Sequence, residues 1–450
     1  MIANSIIVLI LFLYHEAFYL LPKEMLVAPG VFRMSDAALV ILPLCAFTVP
    51  KTFSRYREES WMVITFISLM LLSCFMGSLF FPQSYSAGLL NIRNNFIWLS
   101  FFAFVPLIKD MAQVERLVKL LTFLTGIYVV ILLVTKMIPD LGIIHLPKDM
   151  YSKQSTLKRF GEFRLFYPYG NIPLMFFFIA LAQTLNGYVK ESFRAKALRI
   201  LFMFIVANAV VSSMTRAVLF PVLIACTIAF ISSKKRSVKY AGIVFFVLIA
   251  SYQILSMSLG SDGGSLLEKS TLGKMLFKSS ELASEQGRMF QVNMYLTQFE
   301  KSPLTGVGNF AIGSFSNRKG GGILESYKAF GFFNGSDLGY LKILAENGVI
   351  GIAWVIWWFV YFYRRGKQTL AKAEKLGGLP FAEVVTHGLI YFTTYLLISG
   401  VTLGHWVHQN VITILPLSLA LMAISRWTVN ELAEQTVNEQ SSLIPGMNRA

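Results

Sequence analysis

Across 450 residues the chain is 55% hydrophobic and only 14% charged, with a mean hydropathy of +0.60. Soluble domains carry roughly a quarter charged residues, so this composition excludes an ordinary globular domain and indicates an integral membrane protein. The net charge of +16, from 40 Lys and Arg against 24 Asp and Glu, fits either a nucleic-acid partner or a basic excess retained beside the cytoplasm.

Apolar runs of about 20 residues, enough to cross a hydrocarbon core, predict an all-α polytopic protein. Spans are expected near 2–22, 33–50, 61–81, 88–108, 118–138, 168–188, 198–214, 216–232, 240–258, 338–362, 383–402 and 409–426. That makes about twelve in a single integral membrane domain covering 1–450. The first run, Ile2 to Leu21, has neither a basic n-region nor a small-residue cleavage site, and reads as a retained span rather than a signal peptide. Cys45, Cys74 and Cys226 all lie in apolar runs, where they act as small hydrophobes and offer no disulfide framework.

With a cytoplasmic N-terminus, the inner connectors are "KTFSRYREES", "KDMAQVERLVK", "VKESFRAKALR", "SSKKRSVKY" and "YRRGKQTLAKAEK", carrying 19 Lys and Arg in all. The short outer connectors, 23–32, 82–87 and 403–408, carry only Lys23. This asymmetry obeys the positive-inside rule, places both termini in the cytoplasm and removes the nucleic-acid reading. Two long connectors, 139–167 and 259–337, fall outside, and long loops cross regardless of charge. Their basic residues therefore call for another cause, either an anionic partner outside the cytoplasm or contact with lipid headgroups.

In the first long connector and the span after it, "RFGEFRLFYPYGNIP" (159–173) sets Arg159 and Arg164 among aromatic rings. Such a mixture suits either a carbohydrate ligand or an interfacial aromatic belt. "VVSSMTRAVLFPVL" (210–223) puts Arg216 between two apolar runs with almost no linker. A charge at mid-membrane costs roughly 2.5–3.5 kcal/mol, which favours a functional role facing a cavity over an arginine capping helix carbonyls.

The second long connector contains "EQGRMFQVNMYLTQFEKSPLTGVGNF" (285–310). Met289, Val292, Leu296 and Phe299 recur at helical spacing, as in an amphipathic helix lying on the membrane surface. Arg288 is expected at the head of that helix, where backbone N–H groups favour an anion, or else as a snorkelling anchor. Pro303 should close the helix, and Gly306 and Gly308 should turn the chain; a lone Gly-x-Gly is a weak phosphate signal. In "GSDLGYLKILAENGVIG" (335–351), Asp337 stands where the chain re-enters the membrane, as an N-cap, a general base or both. Glu346, Gly348 and Gly351 read as structural. His405 and His408 have metal-ligand spacing but no third ligand nearby, and neither metal nor cofactor is expected.

Four stretches in order, "RFGEFRLFYPYGN", "SSMTRAV", "GRMFQVNMYLTQFEKSPLTGVGNF" and "DLGYLKILAENGVIGI", resemble the bacterial O-antigen ligase and O-antigen polymerase (Wzy-type) superfamily. The resemblance implies a GT-C-like glycosyltransferase of the bacterial inner membrane with its active site facing the periplasm. Its donor and acceptor would be undecaprenyl-diphosphate-linked oligosaccharides, handled without metal or nucleotide sugar, with a chain-length regulator as a further partner. By match to the family pattern, Arg216 and Arg288 bind the donor diphosphate, with Arg164 or Arg159 assisting. Ligases usually show a His-Asn pair before the re-entering helix; Asp337 and Leu338 stand there instead, which favours a polymerase with Asp337 as base. The alternatives are a ligase acting on lipid A or protein and, from another class, a transporter or flippase. No internal repeat of the transporter kind is visible.

Overall fold

The computed structural model describes residues 2–21, 48–81, 83–138, 143–144, 158–159, 162–163, 165, 171–186, 192–213, 215–233, 282–309, 338–401 and 414–442. Among these the chain is mostly helical, with short turns and one tiny antiparallel hairpin, Lys158–Arg159 (β1) with Glu162–Phe163 (β2).

The helices, in order, are α1 (Ile2–Tyr14), α2 (Val49–Arg55), α3 (Arg57–Phe80), α4 (Tyr85–Ile92), α5 (Phe101–Leu107), α6 (Met111–Met137), α7 (Asn171–Asn186), α8 (Phe193–Ser212) and α9 (Arg216–Ile231). After them come α10 (Leu282–Lys301), α11 (Gly339–Lys375), α12 (Pro380–Ser399) and α13 (Ile414–Ser442). Five are long and apolar enough to span a bilayer: α3, α6, α8, α11 and α12. They coincide with expected spans, and the shorter apolar helices Ile2–Tyr14, Asn171–Asn186 and Ala217–Ile231 fall on three others. The expected span 240–258 and all but the last residues of 33–50 lie outside the described residues.

Two expectations need correction. The span expected at 88–108 is not one α-helix: α4 passes into a 3-10 segment, Arg93–Ser100, before α5. Polar side chains in "NIRNN" and Pro106 within α5 interrupt the regular ladder there. The second concerns "YRRGKQTLAKAEK", expected as a connector, which continues α11 to Lys375 because Ala, Lys, Gln and Glu are strong helix formers.

Helices α7 and α12 form the centre, packed on each other, with α9, α11 and α13 around α12. A Cβ at Gly388 would lie 2.5 Å from the Ile179 Cα, so this glycine lets the backbones of the two central helices approach closely. Almost every side chain of α7 is buried, whereas α3, α6 and α8 turn Phe75, Leu79, Phe123, Ile127, Leu201 and Phe204 outward. Apolar surface on the outside is what a lipid solvent permits and water does not. Between α3, the 3-10 segment and α11, Phe66, Trp98, Trp354 and Trp358 form one aromatic cluster, with Phe66 and Trp98 centroids 4.6 Å apart. The Trp354 indole N–H in that cluster donates to the Met62 carbonyl at 3.1 Å.

Candidate functional site

Hydrogen bonds gather several of the singled-out stretches at one end of the bundle. Leu165, next to Arg164, donates its N–H to the Ser212 carbonyl at the end of α8 (2.9 Å). Four residues on, α9 opens at Arg216 after a turn at Thr215, whose carbonyl accepts from Val218 and Leu219. The start of α7 is held by Asn171, which accepts from the Tyr395 hydroxyl of α12 at 2.9 Å. Tyr340, in the first turn of α11, donates its N–H to the Gly400 carbonyl (3.1 Å) and its hydroxyl to the Leu397 carbonyl (2.7 Å). The entries to α7, α9 and α11 thus meet the exits of α8 and α12.

Beside this end, the turn after α10 splices into α11. Helix α11 breaks at Gly348, which has φ +63°. The break leaves the Ala345 and Glu346 carbonyls without their usual partners, the N–H groups of Val349 and Ile350. The 303–308 segment replaces both. Val307 and Gly308 donate to Ala345 and Glu346 (2.9 and 3.0 Å), while Val349 and Ile350 donate to Pro303 and Leu304 (2.9 and 3.3 Å).

Such a splice requires glycine. Gly306 and Gly308 have φ +71° and +86°, and their Cβ atoms would fall 2.3 Å from the Glu346 carbonyl carbon and 2.0 Å from the Gly77 nitrogen. The turn reading of these glycines is therefore borne out and extended, since their N–H groups donate to the Ser302 and Glu346 carbonyls and not to a phosphate.

Asn309 completes the join to α3 and α4. Its N–H donates to the Ser73 carbonyl (3.0 Å), its carbonyl accepts from Gln83 Nε2 and its Oδ1 from Asn91 Nδ2, both at 2.7 Å. The sequence reading passed over Gln83, Asn91 and Asn309; the one available signal was an asparagine cluster inside an otherwise apolar run.

Two expectations about α10 are corrected. Arg288 does not head the helix: α10 is already formed at Leu282, nearly two turns earlier, so the backbone N–H at 288 lies within the ladder. The buried side is also rotated from the expected one. Gln291 and Tyr295 are buried, while Leu296 is 39% exposed, because α10 packs along α11 rather than floating free. The helix-terminus property expected of Arg288 belongs to Arg216 instead, the first residue of α9.

Arg159 sits on β1, its backbone paired with Glu162. Asp337, Arg164, His405 and His408 lie outside the described residues. The N-cap position of α11 is Leu338, whose side chain makes no cap bond. Glu346 pairs with Lys342 at 3.7 Å, and the carbonyl of Glu346 is part of the splice, consistent with a structural role. Among the described residues no three His, Cys, Asp or Glu side chains group as a metal site.

Residues 201–356, from α8 through the splice to the middle of α11, match the family model described as O-antigen ligase. No curated protein matches the chain.

Proposed function

From the premise that residues 201–356 put this chain in the O-antigen ligase and polymerase superfamily, we propose that it is a polysaccharide polymerase of the bacterial inner membrane. It moves a growing glycan from undecaprenyl diphosphate onto the non-reducing end of the next lipid-linked repeat unit, on a GT-C-like scaffold of about twelve spans with its site facing the periplasm. The observation that carries the reading is the gathering, at one bundle end, of the entries to α7, α9 and α11, beside the α10 splice.

In this reading Arg216 and Arg288 hold the donor diphosphate, with Arg164 or Arg159 assisting. Guanidinium groups suit that task because they bind phosphate oxygens in a bidentate way and stay charged. Asp337 takes the proton from an acceptor hydroxyl as its oxygen attacks the anomeric carbon from the face opposite the diphosphate. The bond from that carbon to the diphosphate oxygen breaks with inversion, and the arginines stabilise the negative charge that leaves with it. The gathered bundle end supports this assignment for Arg216 through its position at the head of α9, and the packing of α10 along α11 supports it for the helix that carries Arg288.

The match to a family described as O-antigen ligase favours a second reading, a ligase that transfers glycan to lipid A or protein. Analysis of lipid-linked glycans in a deletion strain separates the two. Polymerase loss leaves single repeat units on the lipid, whereas ligase loss leaves long lipid-linked polymer, and the second outcome would sink our reading. A flippase is a third possibility, and would show as movement of labelled lipid-linked glycan across liposomes without elongation.

A further inference from the structure

At the other end of the bundle lies an open pocket of about 510 Å³, lined by Arg55, Arg57, Arg365 and Arg426 with a single lining carboxylate, Glu58. Three of the chain's seven tryptophans, Trp61, Trp357 and Trp427, complete its wall. We propose that this pocket binds the phosphate headgroup of an anionic phospholipid at the membrane surface opposite the candidate glycosyl-transfer site. The inference rests on this pocket alone and stands whether or not the chain is a polymerase.

Depth is the first argument. The pocket residues Arg57 and Trp61 open α3, whereas Ser73 and Gly77, twelve or more positions later, hold the 303–309 splice. Sixteen residues of helix, from 57 to 73, rise about 24 Å, and the nineteen from Glu346 to Arg365 in α11 about 28 Å. Both lengths approach a hydrocarbon core of about 30 Å, so the pocket and the splice belong to opposite membrane surfaces. The pocket lies on the side that the positive-inside charge pattern assigns to the cytoplasm.

The second argument is how the arginines are held. Arg426 ties α13 to α3, donating to the fully buried Glu59 at 2.7 Å, and Glu59 also accepts from the Tyr361 hydroxyl of α11. Arg365 Nε donates to Glu58 at 2.7 Å. These pairs fix the floor. On the rim, the Arg55 guanidinium lies 4.5 Å over the Trp427 ring and 3.9 Å from Glu431. Arg57 is exposed and makes no hydrogen bond or ion pair among the described residues. A rim with an uncommitted guanidinium beside one stacked on an indole is suited to a phosphate.

The tryptophans select the lipid over a free anion. Trp61 is 45% exposed and stands in edge-to-face contact with Phe53, 5.4 Å between centroids, where the outward apolar side of α3 begins. Indoles at that depth anchor at the headgroup level, and basic pockets between helices on this side recognise anionic headgroups.

The test is native mass spectrometry of the full-length protein titrated with phosphatidylglycerol, phosphatidylcholine or inorganic phosphate. The wild type should retain phosphatidylglycerol well above phosphatidylcholine. The rim variant Arg55→Gln/Arg57→Gln should bind phosphatidylglycerol about thirty-fold more weakly, as expected for removing two surface arginines. Both substitutions spare the buried Glu59–Arg426–Tyr361 floor, and an unchanged melting curve in phosphatidylcholine verifies folding; Arg57→Gln alone serves if the double variant does not fold, and should bind phosphatidylglycerol about five-fold more weakly. Equal retention of the two lipids, or a folded rim variant that binds like the wild type, overturns the proposal. Displacement of phosphatidylglycerol by an equal concentration of inorganic phosphate would mark a free-anion site, and also overturns it.

Discussion

Gly308 and Gly377 share a left-handed backbone, at φ +86° and +81°, but not a setting: a Cβ at Gly308 meets the Gly77 nitrogen at 2.0 Å, whereas at Gly377 nothing lies within 4 Å. The conformation alone costs an alanine about 1–2 kcal/mol. Gly377→Ala should therefore lower the melting temperature modestly, while Gly308→Ala should lower it far more or abolish recovery of folded protein. Equal shifts would mean that the splice yields easily. The turn at these glycines was legible from "SPLTGVG", because Pro and Gly punctuate a chain locally. Their function as an insert in a distant helix was not, since it depends on Gly348 breaking α11 forty residues later.

The α10–turn–α11 unit is where sequence and structure diverge most among the elements. Helical periodicity correctly found α10 in an otherwise polar connector, but the expected apolar side assumed a bare membrane surface as partner. With α11 as partner, Tyr295 turns inward and Leu296 outward. Asn309 shows the same limit, since its ties to Gln83 and Asn91 span more than two hundred residues of sequence. The Asn91–Asn309 bond is testable by a double-mutant cycle. Asn91→Ala and Asn309→Ala should couple by about 0.5–1.5 kcal/mol in denaturation, the usual worth of one such bond. Additive losses would show that the two amides act independently and that something else holds the turn on α4.

For the whole molecule, hydropathy and charge were informative because lipid imposes a strict rule: spans must be apolar and satisfy their own backbone bonds. Contacts sort the connectors as the alternation of spans expects. Residues 83 and 91 meet the 303–309 turn at one end, while Glu58, Arg365 and Arg426 meet at the other. In a cysteine-free background, a cysteine replacing Ser86 should react with a membrane-impermeant maleimide from the periplasm, and one replacing Lys367 only from the cytoplasm. Labelling of both from one side would invert or break the topology. The interrupted span of α4 and α5 escaped hydropathy averaging, since a window of about 19 residues smooths over a polar cluster such as "NIRNN".

The central claim is that arginines on the outer side of this fold hold a lipid diphosphate while a glycan is transferred. Its most direct measurement is polymer amount and length in cells carrying Arg216→Ala or Arg288→Ala, at a membrane protein level matched to the wild type, with the exposed Leu296→Ala as a control. The account predicts that each arginine variant accumulates single lipid-linked repeat units and little polymer, while the leucine variant makes normal product. Normal polymer from both arginine variants at that matched level would contradict it.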